Sequence, residues 1–358
     1  MKLKIYTPGH GLFLDTLIMY GFSSILQEGD FRYNVTGTAQ MFEINVEDAS
    51  LMDIAKVTKG LCEKSKESII ELLVNRLRLV QRQSLRRMEY FLEKMINMNV
   101  IKQLLRSYSS PGHALGEGRE ATRKQHVWLP LFPHIGKYFT GEYKYRAKNY
   151  GICPSCLVLA SLGFYKAALH ITPPLNRNNI YVVLLSFEGH VSGEILNRLI
   201  ALKSDIIIKP SLRRATSILP LSVFIRTLLA YLSPDLLKNL YEAKASWTAL
   251  SVMFNIIKGG VVQIRGYEEM TLNTFLSSLV RLMEIDEKRE RKVNPIGKLT
   301  SLTEDLIRKG DTAAIESLYD FLVTRTSLDL YTASRQITKT LEEGFGKQFC
   351  EELAWLIK

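Results

Sequence analysis

The chain changes its hydrophobic rhythm several times, and each change predicts an element. Leu3 and Ile5 alternate with lysines over the first residues, giving a short strand from Lys2 to Tyr6 that ends in a Pro8-Gly9-His10-Gly11 turn. The next stretch, Leu12 to Leu26, is apolar almost throughout and reads as a helix. Phe31 to Val35 and Ala39 to Val46 then alternate around Thr36-Gly37-Thr38, the signature of a hairpin. Residues 63 to 106 contain neither Pro nor Gly and carry helical spacing, so they predict one long helix or two end to end. From Ser107 to Tyr150 the periodicity dissolves into Gly, Pro, Tyr and basic residues, a loop-rich segment of a length that usually serves a function.

Regular patterning returns with a short apolar helix, Leu157 to Leu169. Two strand-like runs follow, Asn179 to Phe187 and Asp205 to Ile208, with a helix starting at Ser192 between them. Beyond Pro210 only Val261 to Ile264 reads as a strand; the rest predicts amphipathic helices broken at Pro220, Pro234, Gly259-Gly260, Pro295, Gly310 and Gly344. No repeat of fixed period is present. The expected fold class is α+β: a mixed basic domain over 1–210 with a short antiparallel sheet and long helices, then a mainly helical domain over 211–358.

Composition adds that the chain can bury a core, since 46% of its 358 residues are hydrophobic and 23% charged. The longest apolar runs, Tyr181 to Phe187 and Ile218 to Leu232, fall short of the roughly 20 residues of a membrane span. With no apolar leader at Met1 and only four cysteines, the expectation is a soluble cytoplasmic protein without a disulfide scaffold.

Charge changes the picture more. Of the net +11, residues 51 to 150 account for +10, with 19 basic against 9 acidic side chains, while residues 1 to 50 and 301 to 358 are each −3. A basic block between acidic ends suits a polyanion, or else forms a solvated face. Within it, Arg78, Arg82 and Arg86 are spaced four apart and would line one helix face. Arg76, Gln83 and Arg87 would fill the adjoining stripe, and Leu73, Leu77, Val80, Leu85, Met88 and Leu92 the opposite side. Only Glu71, Glu89 and Glu93 lie near enough in sequence to neutralise this rail, so it suits a phosphate backbone or an acidic protein surface.

Downstream, Tyr143-Lys144-Tyr145-Arg146 with Lys148 follows Thr140-Gly141 at a candidate hairpin tip. Alternation would put the tyrosines on one face and the cations on the other, fitting bases and phosphates or an ordinary exposed hairpin. Arg119, Arg123 and Lys124 make a second basic loop around Gly112, Gly116 and Gly118. Cys153-Pro154-Ser155-Cys156 is half of a zinc pattern; packed thiols, a zinc site completed by His170 or another histidine, and a redox pair all remain open. The sequence has no Walker motif, no H-E-x-x-H, no G-x-S-x-G and no adjacent His-Asp pair, and Asp15 and Asp53 read as capping or surface residues, so the chain is expected not to be an enzyme and to need no cofactor apart from that open zinc question.

Two boxes together, Tyr6-Thr7-Pro8-Gly9-His10-Gly11 ahead of one apolar helix and Gly151-Ile152-Cys153-Pro154-Ser155-Cys156 ahead of another, resemble the large subunit of archaeal type I-A CRISPR interference complexes (Cascade). The resemblance implies a non-catalytic subunit that helps recognise the protospacer-adjacent motif in target DNA, supports duplex opening and contacts the separate nuclease-helicase. It also implies guide RNA, backbone subunits and a small helical subunit as partners, and no membrane. The candidate phosphate contacts are then Arg78, Arg82, Arg86 and Arg87. Duplex or displaced-strand contacts fall to Arg119, Arg123, Lys124, Lys144, Arg146 and Lys148, with Tyr143 and Tyr145 as stacking groups. The competing expectation is a helical scaffold or adaptor whose basic face binds an acidic protein.

Overall fold

The protein is described from a computed structural model, which covers residues 3–38, 41–79, 97–113, 125–126, 151–171, 178–205, 233–257, 261–288, 295–309 and 311–341, together with positions 86, 89, 90, 92, 93, 353 and 354. The first strand, β1 (Leu3–Tyr6), leads into α1 (Leu12–Glu28). The hairpin follows as β2 (Tyr33–Gly37) and β3 (Phe42–Val46), each burying alternate residues as strict alternation requires. Helix α1 is apolar on all sides and is buried from Phe13 to Leu26. Its few hydroxyls are satisfied locally: Thr16 donates to the Leu12 carbonyl and Ser24 to the Tyr20 carbonyl.

Helix α2 (Leu51–Ile70) opens with a capping box in which Ser50 and Asp53 bond each other's backbone N–H. Of the two expectations for 63–106, one long helix or two end to end, the single continuous helix does not form. After Ile70 the chain widens into a π-turn over Glu71–Arg76, the Leu77 N–H reaching back to the Leu72 carbonyl. It then stops: Arg78 sits in the left-handed region at φ 53°, and the Leu79 N–H closes onto the Leu73 carbonyl. That closure is a Schellman-type helix end, with Leu73 and Leu79 both buried across it. Helix α3 (Met98–Ser107) is separate and starts at Asn97, whose side chain accepts from the Asn99 N–H.

Two residues each of β4 (Gln125–His126) and β5 (Gly151–Ile152) pair before α4 (Pro154–Ala167). Helices α1 and α4 press together without side chains between them. A Cβ on Gly21 would lie 2.3 Å from the Leu159 carbonyl oxygen, and one on Gly163 would lie 1.8 Å from that of Leu17. The pairing of 21 with 159 and of 17 with 163 makes the two helices antiparallel. Both predicted boxes therefore head the central buried helix pair, one at either end.

After β6 (Leu169–Ile171) comes β7 (Asn179–Ser192), longer than the predicted run, followed by α5 (Gly193–Asp205). Asp205 thus ends a helix where a strand was expected to begin, and Ile206 to Ile208 lie outside the described residues. Helix α6 (Pro234–Glu242) then leads to the main departure from expectation, because β8 (Ala245–Ile257) and β9 (Val261–Thr271), of which only Val261 to Ile264 was expected as strand, form a long hairpin in the half read as mainly helical. One antiparallel sheet results, in the order β1-β3-β2-β7-β8-β9, with β6 also against β7. Strands β7 and β8 pair through eleven positions, from Asn179 with Asn255 to Gly189 with Ala245, so one sheet takes strands from both sides of the expected boundary. The described residues that follow are mainly helical, as expected: α7 (Asn273–Lys288), α8 (Pro295–Lys309), α9 (Thr312–Thr324) and α10 (Ser327–Thr340). The fold is α+β.

Candidate nucleic-acid interface

Of the arginine rail, two members are described and both are exposed: Arg78 at the left-handed helix end and Arg86 on a helical position beyond it. The break at Arg78 divides the rail, so the four-residue spacing does not run along one continuous helix. The apolar side holds where it is described, with Leu73, Leu77 and Leu92 buried. Two of the three nearby carboxylates are engaged elsewhere, Glu93 with the Lys66 ammonium at 2.7 Å and Glu71 with the Asn75 amide at 2.6 Å. Among the described residues no carboxylate pairs with Arg78 or Arg86. Arg82 and Arg87 lie outside the described residues, as do Arg119, Arg123, Lys124, Tyr143, Lys144, Tyr145, Arg146 and Lys148.

The described residues do show how the loop-rich basic segment is rooted. Tyr108, fully buried just after α3, is the central residue of that root. Its carbonyl accepts from the Tyr6 N–H at 2.8 Å, its ring meets Phe22 of α1 edge-on at 5.2 Å, and its hydroxyl lies 2.8 Å from the Cys156 sulfur in α4. His113 stacks at a tilt on the same ring, 5.0 Å between centroids, and brings Nε2 within 3.4 Å of the Cys153 sulfur. Cys153 itself caps α4, its sulfur accepting from the Cys156 N–H at 3.4 Å, with 3.6 Å between the two sulfurs. The β4–β5 ladder places His126 opposite Gly151 immediately before this box. Both ends of the segment from His113 to Cys153 thus meet on the core.

The ligand atoms of His113, Cys153 and Cys156 lie within 4.8 Å of one another. The sequence left the histidine near the C-x-x-C open, as His170 or another, and the structure brings His113 there. His170 is paired opposite Val182 in β6, beyond the far end of a 14-residue helix about 21 Å long. The only sequence signal for His113 was its place at the threshold of the aperiodic segment. Cys62 has no part in this cluster; burial pushes its thiol up to about 12, which keeps it protonated and inert.

The other box is held by Asp15, which is buried and not a surface residue. Its carboxylate accepts from the Gly9 N–H at 2.8 Å and the Gly11 N–H at 2.9 Å, fixing a turn in which both glycines have positive φ. Thr7 ties the turn to β3 through the Phe42 N–H. Burial pushes the Asp15 carboxyl above the ordinary range, against the opposing pull of nearby His10, the two N–H groups and Thr7. Every one of these contacts is internal to the turn, so Asp15 is a structural carboxylate. No helix among the described residues is long and apolar enough to cross a membrane.

The class defined by these features is an α+β protein in which a basic segment is rooted on a buried helix pair, with exposed arginines at and beyond the end of the neighbouring helix. Comparison with known proteins is specific: the profile of the family described as CRISPR-associated protein (Cas_Csa4) matches residues 3–353, and the chain belongs to that family. The family is that of the Cas8/Csa4 large subunits of CRISPR complexes, as the two boxes implied. Over 200 residues the chain is also 25% identical to a protein of Thermoproteus tenax named CRISPR system associated protein Cas8. That match covers 45% of this chain and spans about half the length of the relative.

Proposed function

We propose that this chain is the nucleic-acid-contacting large subunit of a type I-A CRISPR RNA-guided DNA surveillance complex. It reads the short motif beside the target, supports opening of the duplex and recruits the nuclease-helicase, in the cytoplasm and in company with guide RNA, backbone subunits and a small helical subunit. In this scheme guide pairing reads most of the sequence while the protein reads a short duplex element and backbone shape. The observation that carries the reading is the family match across residues 3–353, joined to a charge of +10 gathered in residues 51–150. Arg78, Arg82, Arg86 and Arg87 grip phosphates; Arg119, Arg123, Lys124, Lys144, Arg146 and Lys148 contact the duplex or displaced strand, with Tyr143 and Tyr145 stacking on bases. The subunit acts by binding and performs no chemistry of its own.

The test uses the assembled complex and target duplexes with matched and mismatched flanks at several salt concentrations. Replacing Lys144 and Arg146, or Arg119 to Lys124, should weaken binding to the preferred flank by about 1–3 kcal/mol and leave other flanks nearly unchanged. Equal loss on all flanks would remove these residues from base reading. A defined complex with an acidic protein, formed without DNA or RNA and persisting at high salt, would establish the scaffold alternative instead. Metal-dependent cleavage by the purified chain, abolished by substituting one of its carboxylates, would overturn the non-catalytic assignment.

A further inference from the structure

We propose that His113, Cys153 and Cys156 bind a zinc ion that cross-links the two ends of the basic segment. Zinc bound tetrahedrally, with Zn–S of about 2.3 Å and Zn–N of about 2.0–2.1 Å, requires sulfur–sulfur edges of about 3.8 Å and sulfur–nitrogen edges of about 3.6 Å. The distances here are 3.6 Å between the sulfurs and 3.4 Å from His113 Nε2 to Cys153 Sγ, with all three atoms within 4.8 Å. Two of the three edges match those of a metal tetrahedron, and the third, from His113 to Cys156, lies within 4.8 Å, whereas a disulfide would bring the sulfurs to about 2.0 Å. Zinc also fits the ligand chemistry, since two thiolates and an imidazole are borderline-soft donors.

The surroundings favour thiolates. The Cys156 N–H donates to the Cys153 sulfur, and the Tyr108 hydroxyl lies 2.8 Å from the Cys156 sulfur, placed to donate to it once it is a thiolate. Two thiolates balance the dication once their two protons have passed to solvent, which makes a neutral centre between the two ends, in sequence, of a strongly basic segment. The fourth vertex is taken by water or a further side chain. Because His113 and Cys153 are 40 positions apart, the metal closes a loop that contains Arg119, Arg123, Lys124, Lys144, Arg146 and Lys148. Closing it restricts the unfolded chain and holds the segment's root against the core.

The full-length chain, prepared with zinc in the medium, should carry about one zinc per molecule. After removal of that zinc by a chelator, Co2+ should restore one equivalent and give a thiolate-to-cobalt charge-transfer band. His113→Ala and, separately, Cys153→Ser should weaken Co2+ binding at least 10-fold and speed trypsin cleavage between 114 and 150 several-fold. If a variant fails to fold, the Co2+ titration of the stripped wild-type chain decides alone. Folded wild-type protein that carries no zinc and gives no charge-transfer band would overturn the proposal, as would an intramolecular Cys153–Cys156 disulfide or an unchanged cobalt spectrum in His113→Ala. None of these readouts involves nucleic acid, so failure here and failure of the functional reading are distinguishable.

Discussion

Asp15 shows how a single buried side chain can hold a turn together. Asp15→Ala leaves two N–H groups in a largely buried turn without their acceptor, and is expected to destabilise the protein by about 1–3 kcal/mol for each, measured by urea unfolding. Because burial holds the native carboxyl above 3.8, the native state keeps its proton more tightly than the unfolded chain does. Stability from this group is therefore full below that value and falls as pH rises towards the native pKa. Asp15→Asn should flatten that part of the stability profile, and an unchanged slope would remove Asp15 as its source. Arg78 makes the opposite case, since its left-handed backbone costs about 1 kcal/mol that glycine would avoid. Arg78→Gly should raise the thermal midpoint while lowering affinity for every DNA sequence tested in the assembled complex. A variant that gains stability and binds unchanged would exclude Arg78 from the phosphate contacts. The sequence showed the arginine but not its conformation, because the Schellman closure uses Leu73 and Leu79, which also fit a continuing helix.

Among the elements, the antiparallel contact of α1 with α4 depends on what Gly21 and Gly163 lack. Gly163→Ala places a methyl 1.8 Å from a backbone oxygen, and the helices must separate, at an expected cost of about 3 kcal/mol or more in urea unfolding. Gly60→Ala is the matched control within α2, with nothing inside 4 Å of the added carbon and an expected gain of about 0.5–1 kcal/mol. Equal effects at the two sites would refute close packing of the pair. Both helices were legible as apolar runs and the β2–β3 hairpin as clean alternation. The β8–β9 hairpin was not. In β8 the buried positions run Trp247, Ala249, Leu250, Ser251, Val252, Phe254 and Ile256, so a both-sides-buried stretch interrupts the alternation, and in β9 the bulge at Arg265, opposite Met253 and Phe254, shifts the phase. His113 escaped for a related reason: the fold brings together what 40 positions of sequence keep apart.

For the whole molecule, the shared sheet limits what can be cut away. A chain ending at residue 210 would leave β7 without the partner it meets at eleven positions, and its buried residues, including Val182, Leu184 and Phe187, would lose their neighbours on β8. Residues 1–210 expressed alone should be aggregated or protease-sensitive, and a stable, monomeric fragment with native-like near-ultraviolet dichroism would show that the first half folds independently. Electrostatics act at the same scale. Replacing Arg78, Arg82 and Arg86 together with Ala should weaken binding to all DNA sequences by a similar factor and flatten the salt dependence by about 0.9 log units per lost contact. A triple variant with the wild-type salt slope would make the rail a solvated face.

The same strand order has a consequence for synthesis. Strand β7 is complete at Ser192, but its partner on the open side is not complete until Ile257. At about 5–20 residues per second the ribosome takes about 3–13 s to make the intervening chain, and during that time a long apolar strand has one edge unpaired. The nascent protein is therefore most vulnerable to aggregation and most dependent on chaperones during that interval, and slowing translation between codons 193 and 257 should lower the soluble yield more than slowing it elsewhere.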